Sequence, residues 1–456
     1  MEKTLEEKIH AWSLLGNKDD AQNYYWSEIF PKICLRAKKN LVSSLKKYHC
    51  LISLVGFSPI PLILTIKVLE PEFIVFICTK ETLLQLDVIA EKAGLKPSQF
   101  KYFQVSGSQS EDVYSTIKLV IAEQKEKNIA IDITGGKKPM VYNAAVIGAF
   151  KGCDLFYVDF SEYDLELRRP KYGSEYLNFL SNPFEVFGDI ELEKGKRLFN
   201  EGNYYAASQI FMDLLEKLPR NDEAVFLHEL SLMFKDWDEY NFPPALEACQ
   251  KAIKQMKRCK IYIQSLDSLK EKETILLQLI AGDPLTITLN HYFTSNRMAE
   301  RNRFDFAAFL LYRTLEMAFS VQLEKKYGFN VNEPNYNIFG NEEDVAEKYN
   351  QAGVSIHKKG YKPEPLPSRL SFMNAYQLLF ALKDPMVQGQ HSGKVKRTAQ
   401  IRNKSILAHG TSCITEQEFH ESHQCFLPFL DYFITEHFDG AKLGEFSDKF
   451  SFFKID

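Results

Sequence analysis

Short runs of apolar residues alternate with helical stretches in the first part of the chain. Strands that are apolar on both faces occur where helices cover both sides of a sheet, and strands separated by helices are joined in parallel. The pattern therefore predicts an α/β domain with a mostly parallel sheet. The predicted strands are 50–55, 73–78, 129–133 and 155–160, and the predicted helices are 83–94, 111–127 and 138–151.

The strand pattern stops after Asn182-Pro183, and the remaining sequence has the periodicity of helices. Residues 191–211 resemble one helical hairpin of the tetratricopeptide kind. Strong amphipathic helices are predicted at 303–325 and 416–437, the second beginning at a capping box in Thr415–Glu418. Residues 333–367 are rich in Asn, Glu, Gly and Pro, so we predict a long loop there.

The chain therefore divides into an α/β front half and an all-helical back half. We predict a further pair of strands within 163–170, and a helical N-terminus whose aromatic residues pack on the α/β domain. Four segments are expected, namely an N-terminal helical extension at 1–48, the α/β domain at 49–182, a helical connector at 183–290 and a helical domain at 291–456.

Charge and composition indicate a cytoplasmic protein that does not cross a membrane. The net charge of −4 argues against a protein that coats nucleic acid, so any contact with nucleic acid should be local. The N-terminus is charged and has no signal-peptide core, and the most apolar window, 51–69, contains Pro59, Pro61 and Lys67. The eight cysteines form no C-x-x-C pair, which is typical of reduced thiols.

Three loops with phosphate-binding chemistry follow predicted strands, at the strand ends where parallel sheets bind ligands. Glycines let main-chain N–H groups approach a phosphate, a helix N-terminus favours anions, and lysines supply positive charge. Neither G-x-G-x-x-G nor the Walker A motif is present, which disfavours simple dinucleotide binding or ATP hydrolysis. The candidate ligand-binding residues are Gly56, Phe57, Ser58 and Pro59 in the first loop, Thr79, Lys80 and Glu81 in the second, and Thr134, Gly135, Gly136, Lys137, Lys138 and Met140 in the third.

A second group of candidate residues, Arg402, Asn403 and His409, has the layout needed to cleave RNA without a metal. RNA carries its own nucleophile, so a catalyst needs a group that titrates near neutral pH and donors for the charge on phosphorus. His409 suits the first role and Arg402 the second, and Asn403 could hold either the histidine or the phosphate. If the stretch is helical, Arg402 and His409 share one face about 10 Å apart. The pattern alone also fits a solvated arginine beside a helix-end histidine.

Both groups of residues resemble motifs of one family. The segment Ile131-Asp132-Ile133-Thr134-Gly135-Gly136-Lys137-Lys138-Pro139-Met140 resembles the signature D-x-T-G-G-T-K-x-M of CARF domains, with Lys137 where Thr is common, and 55–59 resembles the first CARF motif. The stretch from Arg402 to His409 resembles the R-x4-6-H motif of HEPN ribonucleases, and 306–316 is similar to a HEPN first helix. The chain thus resembles a CRISPR-associated CARF–HEPN ribonuclease over 49–182 and 291–440.

The resemblance implies a Rossmann-like CARF domain, a helical linker and a HEPN helical bundle. It also implies an endoribonuclease that cleaves single-stranded RNA without a metal or cofactor and is activated by a cyclic oligoadenylate. Because such a ring is symmetric, a two-fold homodimer suits it, and a composite site across the two-fold axis suits the wide spacing of Arg402 and His409. Two alternatives stay open, namely a non-catalytic sensor that recruits a partner protein and a CARF protein that also degrades its activator.

Overall fold

The computed structural model describes residues 4–455 except 42–45, 108–109, 125–127, 167–168, 358–360, 390–391 and 408–409. These residues divide into two compact units, Met1–Asp189 and Ile190–Asp456. The first unit contains the sheet and the second is built from helices, so the predicted fold class is confirmed. Among the helices that the structure describes, none combines the length and the apolar composition that a membrane crossing requires.

A six-stranded sheet in the order β3-β2-β1-β4-β5-β8 forms the centre of the first unit. The pairs from β3 to β5 are parallel, and β8 pairs antiparallel with β5. A separate two-stranded sheet confirms the strand pair predicted within 163–170. The strands are β1 Cys50–Leu54, β2 Phe73–Cys78, β3 Phe100–Gln104, β4 Ile129–Asp132, β5 Asp154–Phe160, β6 Tyr163–Asp164, β7 Arg169–Pro170 and β8 Glu175–Leu180.

Helices cover both faces of this sheet, which is why its central strands are apolar on both sides. Alternate residues of β1 enter different cores: Leu51 packs in one, and Cys50 and Ile52 pack in the other. The helices of the first unit are α1 Leu5–Ser13, α2 Lys18–Tyr24, a π-helical turn Tyr25–Ile29, α3 Phe30–Asn40, α4 Ile60–Leu69, α5 Gln85–Ala93, a 3-10 turn Pro97–Gln99, α6 Ser110–Glu123, α7 Lys138–Phe150 and α8 Pro183–Phe187.

The predicted strands are confirmed within one residue at their ends, but β3 and β8 were missed. Both lie at the edges of the sheet, and β3 has no fully buried residue, so its sequence lacks the continuous apolar run of a central strand. The predicted packing of the N-terminal aromatic residues is confirmed, since the rings of Trp12 and Tyr172 lie 4.8 Å apart.

The second unit is an assembly of helices around one continuous hydrophobic core. Its helices are α9 Asp189–Asn200, α10 Tyr204–Lys217, α11 Asp222–Asp238, α12 Phe242–Cys259, a 3-10 turn Ile263–Ser265, α13 Leu266–Ile280, α14 Pro284–Glu300, α15 Phe304–Tyr327, a 3-10 turn Tyr336–Phe339, α16 Glu342–His357, α17 Phe372–Ala381, α18 Ser392–Lys404, α19 Glu416–His437 and α20 Gly444–Phe450. The two predicted amphipathic helices are confirmed as α15 and α19, and Thr415 and Glu418 form the predicted capping box.

The predicted loop at 333–367 is wrong, because most of its middle forms α16. Val345, Tyr349, Ala352 and Ile356 recur at helical spacing and are buried on one face of this helix. Three acidic residues in its first turn favour the same helix through its dipole. The apolar periodicity of these four residues indicates a helix, whereas the polar composition around them is typical of a loop.

Candidate functional site

The first and third candidate loops meet where the carboxyl ends of β1 and β4 lie side by side. The chain runs from β1 to β2 on one side and reaches β4 on the other, so this position is the topological switch point of the sheet. A Cβ atom on Gly135 would lie 2.0 Å from the carbonyl oxygen of Leu54, and one on Gly56 would lie 3.3 Å from the Cα of Gly135. Only glycine permits this approach at position 135, so both loops present main chain at the switch point.

Thr134 fixes the third loop to the sheet through its hydroxyl group. Its Oγ1 donates to Asp132 Oδ1 at 2.6 Å and accepts from the main-chain nitrogen of Val158 at 2.8 Å. Asp132 is fully buried and also accepts from Ser53 at 3.3 Å. Burial raises the pKa of Asp132, and the hydrogen bonds from Thr134 act in the opposite direction. Asp132 is a site residue that the sequence analysis does not predict, although it opens the D-x-T segment of this loop.

The second loop joins the same edge and brings in a glycine that the sequence did not indicate. A Cβ on Gly107, in the loop after β3, would lie 2.8 Å from Thr79 Cγ2 and 2.9 Å from Lys137 Cδ. Thr79 is buried, and a hydrogen bond from it is the main cause that lowers the pKa of Glu81; the charge of Lys137 lowers it further. Residues from the loops after β2, β3 and β4 therefore converge.

The candidate residues differ in what they present to solvent. The Phe57 ring is 70% exposed, and Ser58, Lys80, Glu81, Lys137 and Lys138 are exposed as well. Pro59 precedes α4 and is half-buried. Met140 is fully buried and lies beneath Gly136, so its side chain belongs to the core and cannot line a surface site as we predicted.

The helix that carries Arg402 and Asn403 ends earlier than the two-turn geometry requires. Helix α18 stops at Lys404, and the chain turns back, with the nitrogen of Gly410 donating to the carbonyl of Ser405 at 3.1 Å. The estimate of about 10 Å, which assumed a continuous helix, therefore does not apply. Ala408 and His409 lie outside the residues that the structure describes.

Arg402 lies against two aromatic rings of α15. Its guanidinium carbon is 5.0 Å from the centre of the Tyr312 ring and 6.0 Å from that of Phe309. Its Nη1 donates to Asn403 Oδ1 at 3.0 Å, while Asn403 is exposed. Stacking of this kind restricts an arginine side chain without using all of its N–H donors. The planar group is thus held in place with donors left for an anion.

The histidines of α19 face different surroundings. His423 stacks on Tyr292 at 5.6 Å and its Nε2 lies 3.2 Å from the tyrosine hydroxyl, whereas His420 is 60% exposed and 3.6 Å from Glu416. Within the described part of the chain, no cluster of three histidine, cysteine or carboxylate side chains is arranged to hold a metal ion.

Comparisons with known proteins match the second unit to two family models. The model described as "Csm6 HEPN domain" matches residues 282–431, and the model described as "Csm6 6H domain" matches 187–277. Together they cover α9 to most of α19, including Arg402 and Asn403.

One curated relative and one solved structure agree with these models. The "CRISPR system endoribonuclease Csm6" of Thermus thermophilus is 29% identical over 160 residues, which are 34% of this chain and 34% of that protein. The match thus spans about a third of the length of the curated relative. The structure described as "Enterococcus italicus Csm6 bound to cyclic hexa-2'-fluoro-hexa-dAMP" aligns over 88% of this chain and 97% of that one, with 12% identity and a TM-score of 0.51, and supports the fold.

The second unit belongs to the Csm6 family by both of its domain models. The converging loops lie in the α/β unit, and Arg402 and Asn403 lie in the helical unit. Each unit thus carries one of the two groups of residues to which we assign chemistry.

Proposed function

We propose that the protein is an endoribonuclease that cleaves single-stranded RNA in type III CRISPR defence, without a metal, after binding a cyclic oligoadenylate. The observation that carries this proposal is the presence, in one CARF–HEPN chain, of main-chain loops meeting at the sheet switch point and of a stacked arginine at the end of α18. In this proposal residues 1–48 are an N-terminal helical extension, 49–182 the ligand-sensing domain, 183–290 a helical connector and 291–456 the ribonuclease domain.

The ligand phosphates lie over Gly56, Gly135 and Gly136, where main-chain N–H groups can reach them. Helix α7 begins at Lys138 and points its positive end toward the same loops, and the exposed side chains of Lys137 and Lys138 add charge. The exposed ring of Phe57 offers a surface on which an adenine base can stack. Thr134 shapes the loop, and Met140 supports it from below.

Cleavage proceeds by attack of the RNA 2'-hydroxyl oxygen on the adjacent phosphorus. The 2'-hydroxyl proton is taken up as the new P–O bond forms, the bond to the 5'-oxygen breaks, and that oxygen receives a proton. The products are a 2',3'-cyclic phosphate and a 5'-hydroxyl. His409 serves as the proton-transfer group, Arg402 makes a two-point contact with the phosphate, and Asn403 orients one of these partners.

A homodimer is supported by an apolar stripe on α7. Tyr142, Val146 and Phe150 are 67%, 38% and 56% exposed, and their spacing of four residues places them on one face of the helix. Because α7 starts at the third loop, a two-fold contact along this stripe would bring two copies of the ligand loops to one axis.

We expect Val146→Asp to shift the protein from dimer to monomer, because a carboxylate would be desolvated at the contact. Light scattering after size-exclusion chromatography measures the change. Val88→Asp is the matched control, since Val88 is a valine of similar exposure, 39%, on α5. A dimer that persists in Val146→Asp would exclude the α7 stripe as the interface.

The direct test mixes the protein with labelled single-stranded RNA in EDTA and adds cyclic tetra-adenylate or cyclic hexa-adenylate. We expect cleavage with one ring size and a terminal 2',3'-cyclic phosphate on the product. An absence of cleavage with either ring would favour a non-catalytic sensor. If the activator disappears when it is incubated with the protein alone, the protein also degrades its cyclic oligoadenylate.

Changing Lys137 and Lys138 to glutamate should abolish ligand binding, because two negative charges would face the ring phosphates at a helix N-terminus that favours anions. Calorimetric titration with the activating ring measures the affinity, and RNA cleavage should fall with it. The control changes Lys38 and Lys39, an adjacent pair at the end of α3, to glutamate. Unchanged affinity in the Lys137/Lys138 variant would show that the third loop is an ordinary turn.

A further inference from the structure

A carboxylate one hundred residues before Ser405 holds both ends of the segment that follows α18. Asp305, in the first turn of α15, accepts from the Ser405 hydroxyl through Oδ1 at 2.6 Å and from the main-chain nitrogen of Ile414 through Oδ2 at 3.2 Å. Ser405 and Ile414 are both buried. Each oxygen of one carboxylate thus fixes one end of the segment that contains His409.

Local contacts also join the described residues on either side of 408–409. Ser405 Oγ accepts from the nitrogen of Leu407 at 3.2 Å, and the nitrogen of Ser412 donates to the carbonyl of Lys404 at 3.3 Å. A Cβ on Gly410 would lie 1.8 Å from the same carbonyl oxygen. Gly410 and Ser412 therefore lie close to the last residues of α18.

The same face of α15 also positions Arg402. Phe309 and Tyr312 follow Asp305 by four and seven residues, which places all three on one face of the helix. The two rings lie under the Arg402 guanidinium, and Asp305 lies under the turn that follows it. One helix therefore contacts Arg402 and also Ser405 and Ile414, the residues that flank the segment containing His409.

We propose that Asp305 is a positioning residue for RNA cleavage, acting through Ser405 and Ile414 on the segment that carries His409. This inference rests on the proposed function. A carboxylate is required because the Ser405 hydroxyl and the Ile414 N–H each donate to a different oxygen of Asp305. An asparagine has one acceptor oxygen in its side chain and could accept only one of these two hydrogen bonds. Loss of one contact lets the segment move relative to Arg402, and catalysis depends steeply on such displacements.

The test compares Asp305→Asn, Ser405→Ala and the double variant with the wild-type protein, using the activating cyclic oligoadenylate and saturating labelled RNA. We expect Asp305→Asn to lower kcat about 10²-fold, the loss that a displacement of about 1 Å produces, with KM for RNA little changed. Ser405→Ala should lower kcat about 10-fold, the change that corresponds to one hydrogen bond to a charged group. The double variant should resemble Asp305→Asn, because the two changes remove a shared interaction.

Asp213→Asn is the control, since it removes the same charge from an exposed position on α10. RNA cleavage by the wild-type protein distinguishes the proposed function from the role of Asp305. An inactive wild-type protein refutes the proposed function. An active wild-type protein with unaffected variants refutes only the role of Asp305. The role is also refuted if the loss appears in KM alone. If Asp305→Asn fails to fold, Ser405→Ala decides, and a kcat within about two-fold of wild type overturns the proposal.

Discussion

Replacing Arg402 by lysine should lower the rate of RNA cleavage about 10²–10³-fold, although the positive charge is kept. The guanidinium makes two parallel contacts to a phosphate, whereas an ammonium group is a point charge. Lysine would also lose the stacking on Tyr312 and Phe309, at 5.0 Å and 6.0 Å, that holds the arginine in place. Single-turnover cleavage at saturating activator measures the chemical step directly.

Arg397→Lys is a matched control for this experiment. Arg397 lies on the same helix and pairs with Glu421 at 2.5 Å at a largely exposed position, where an ion pair contributes little. We expect its cleavage rate to stay near that of the wild-type protein. If Arg402→Lys retains most of its activity, Arg402 acts through its charge alone and the two-point contact is excluded.

Replacing His409 by alanine should reduce cleavage about 10²–10⁴-fold, the usual contribution of a proton-transfer group. Binding of the activator should not change, because the proposed ligand loops are in the other unit. The pH dependence of kcat/KM should lose the limb that reports the histidine, since no other proposed catalytic residue titrates near neutral pH. Rates measured from pH 5 to 9 on the wild-type protein and the variant test this expectation.

His420→Ala provides the comparison, because His420 is an exposed histidine of the same helical unit. It should keep both the rate and the shape of the pH profile. A folded His409→Ala protein that cleaves RNA at nearly the wild-type rate would remove His409 from the mechanism and with it the assignment of the motif.

Local sequence was sufficient to predict an element where the residue pattern strongly favours one structure. The apolar runs at β1, β2, β4 and β5 are too short for buried helices and favour strands of a sheet covered on both faces. Thr415 and Glu418 cap α19 with contacts three residues apart. The edge strand β3 was not recognised because it has no fully buried residue. The sequence does not predict helix α16 although its buried residues follow a helical period, because the Asn and Glu residues at its other positions are typical of a loop.

The order of the two units, the central strands and the residue types of both candidate sites follow from local sequence patterns. How those residues are used depends on contacts made in the folded chain. Ser405-Ile406-Leu407-Ala408 could continue a helix on local preference, yet α18 ends at Lys404, where Asp305 holds Ser405. Gly107 joins the ligand loops because β3 lies beside β2, and Met140 leaves them because its side chain fills the core. Contacts between residues far apart in the chain depend on packing, and no local pattern encodes them.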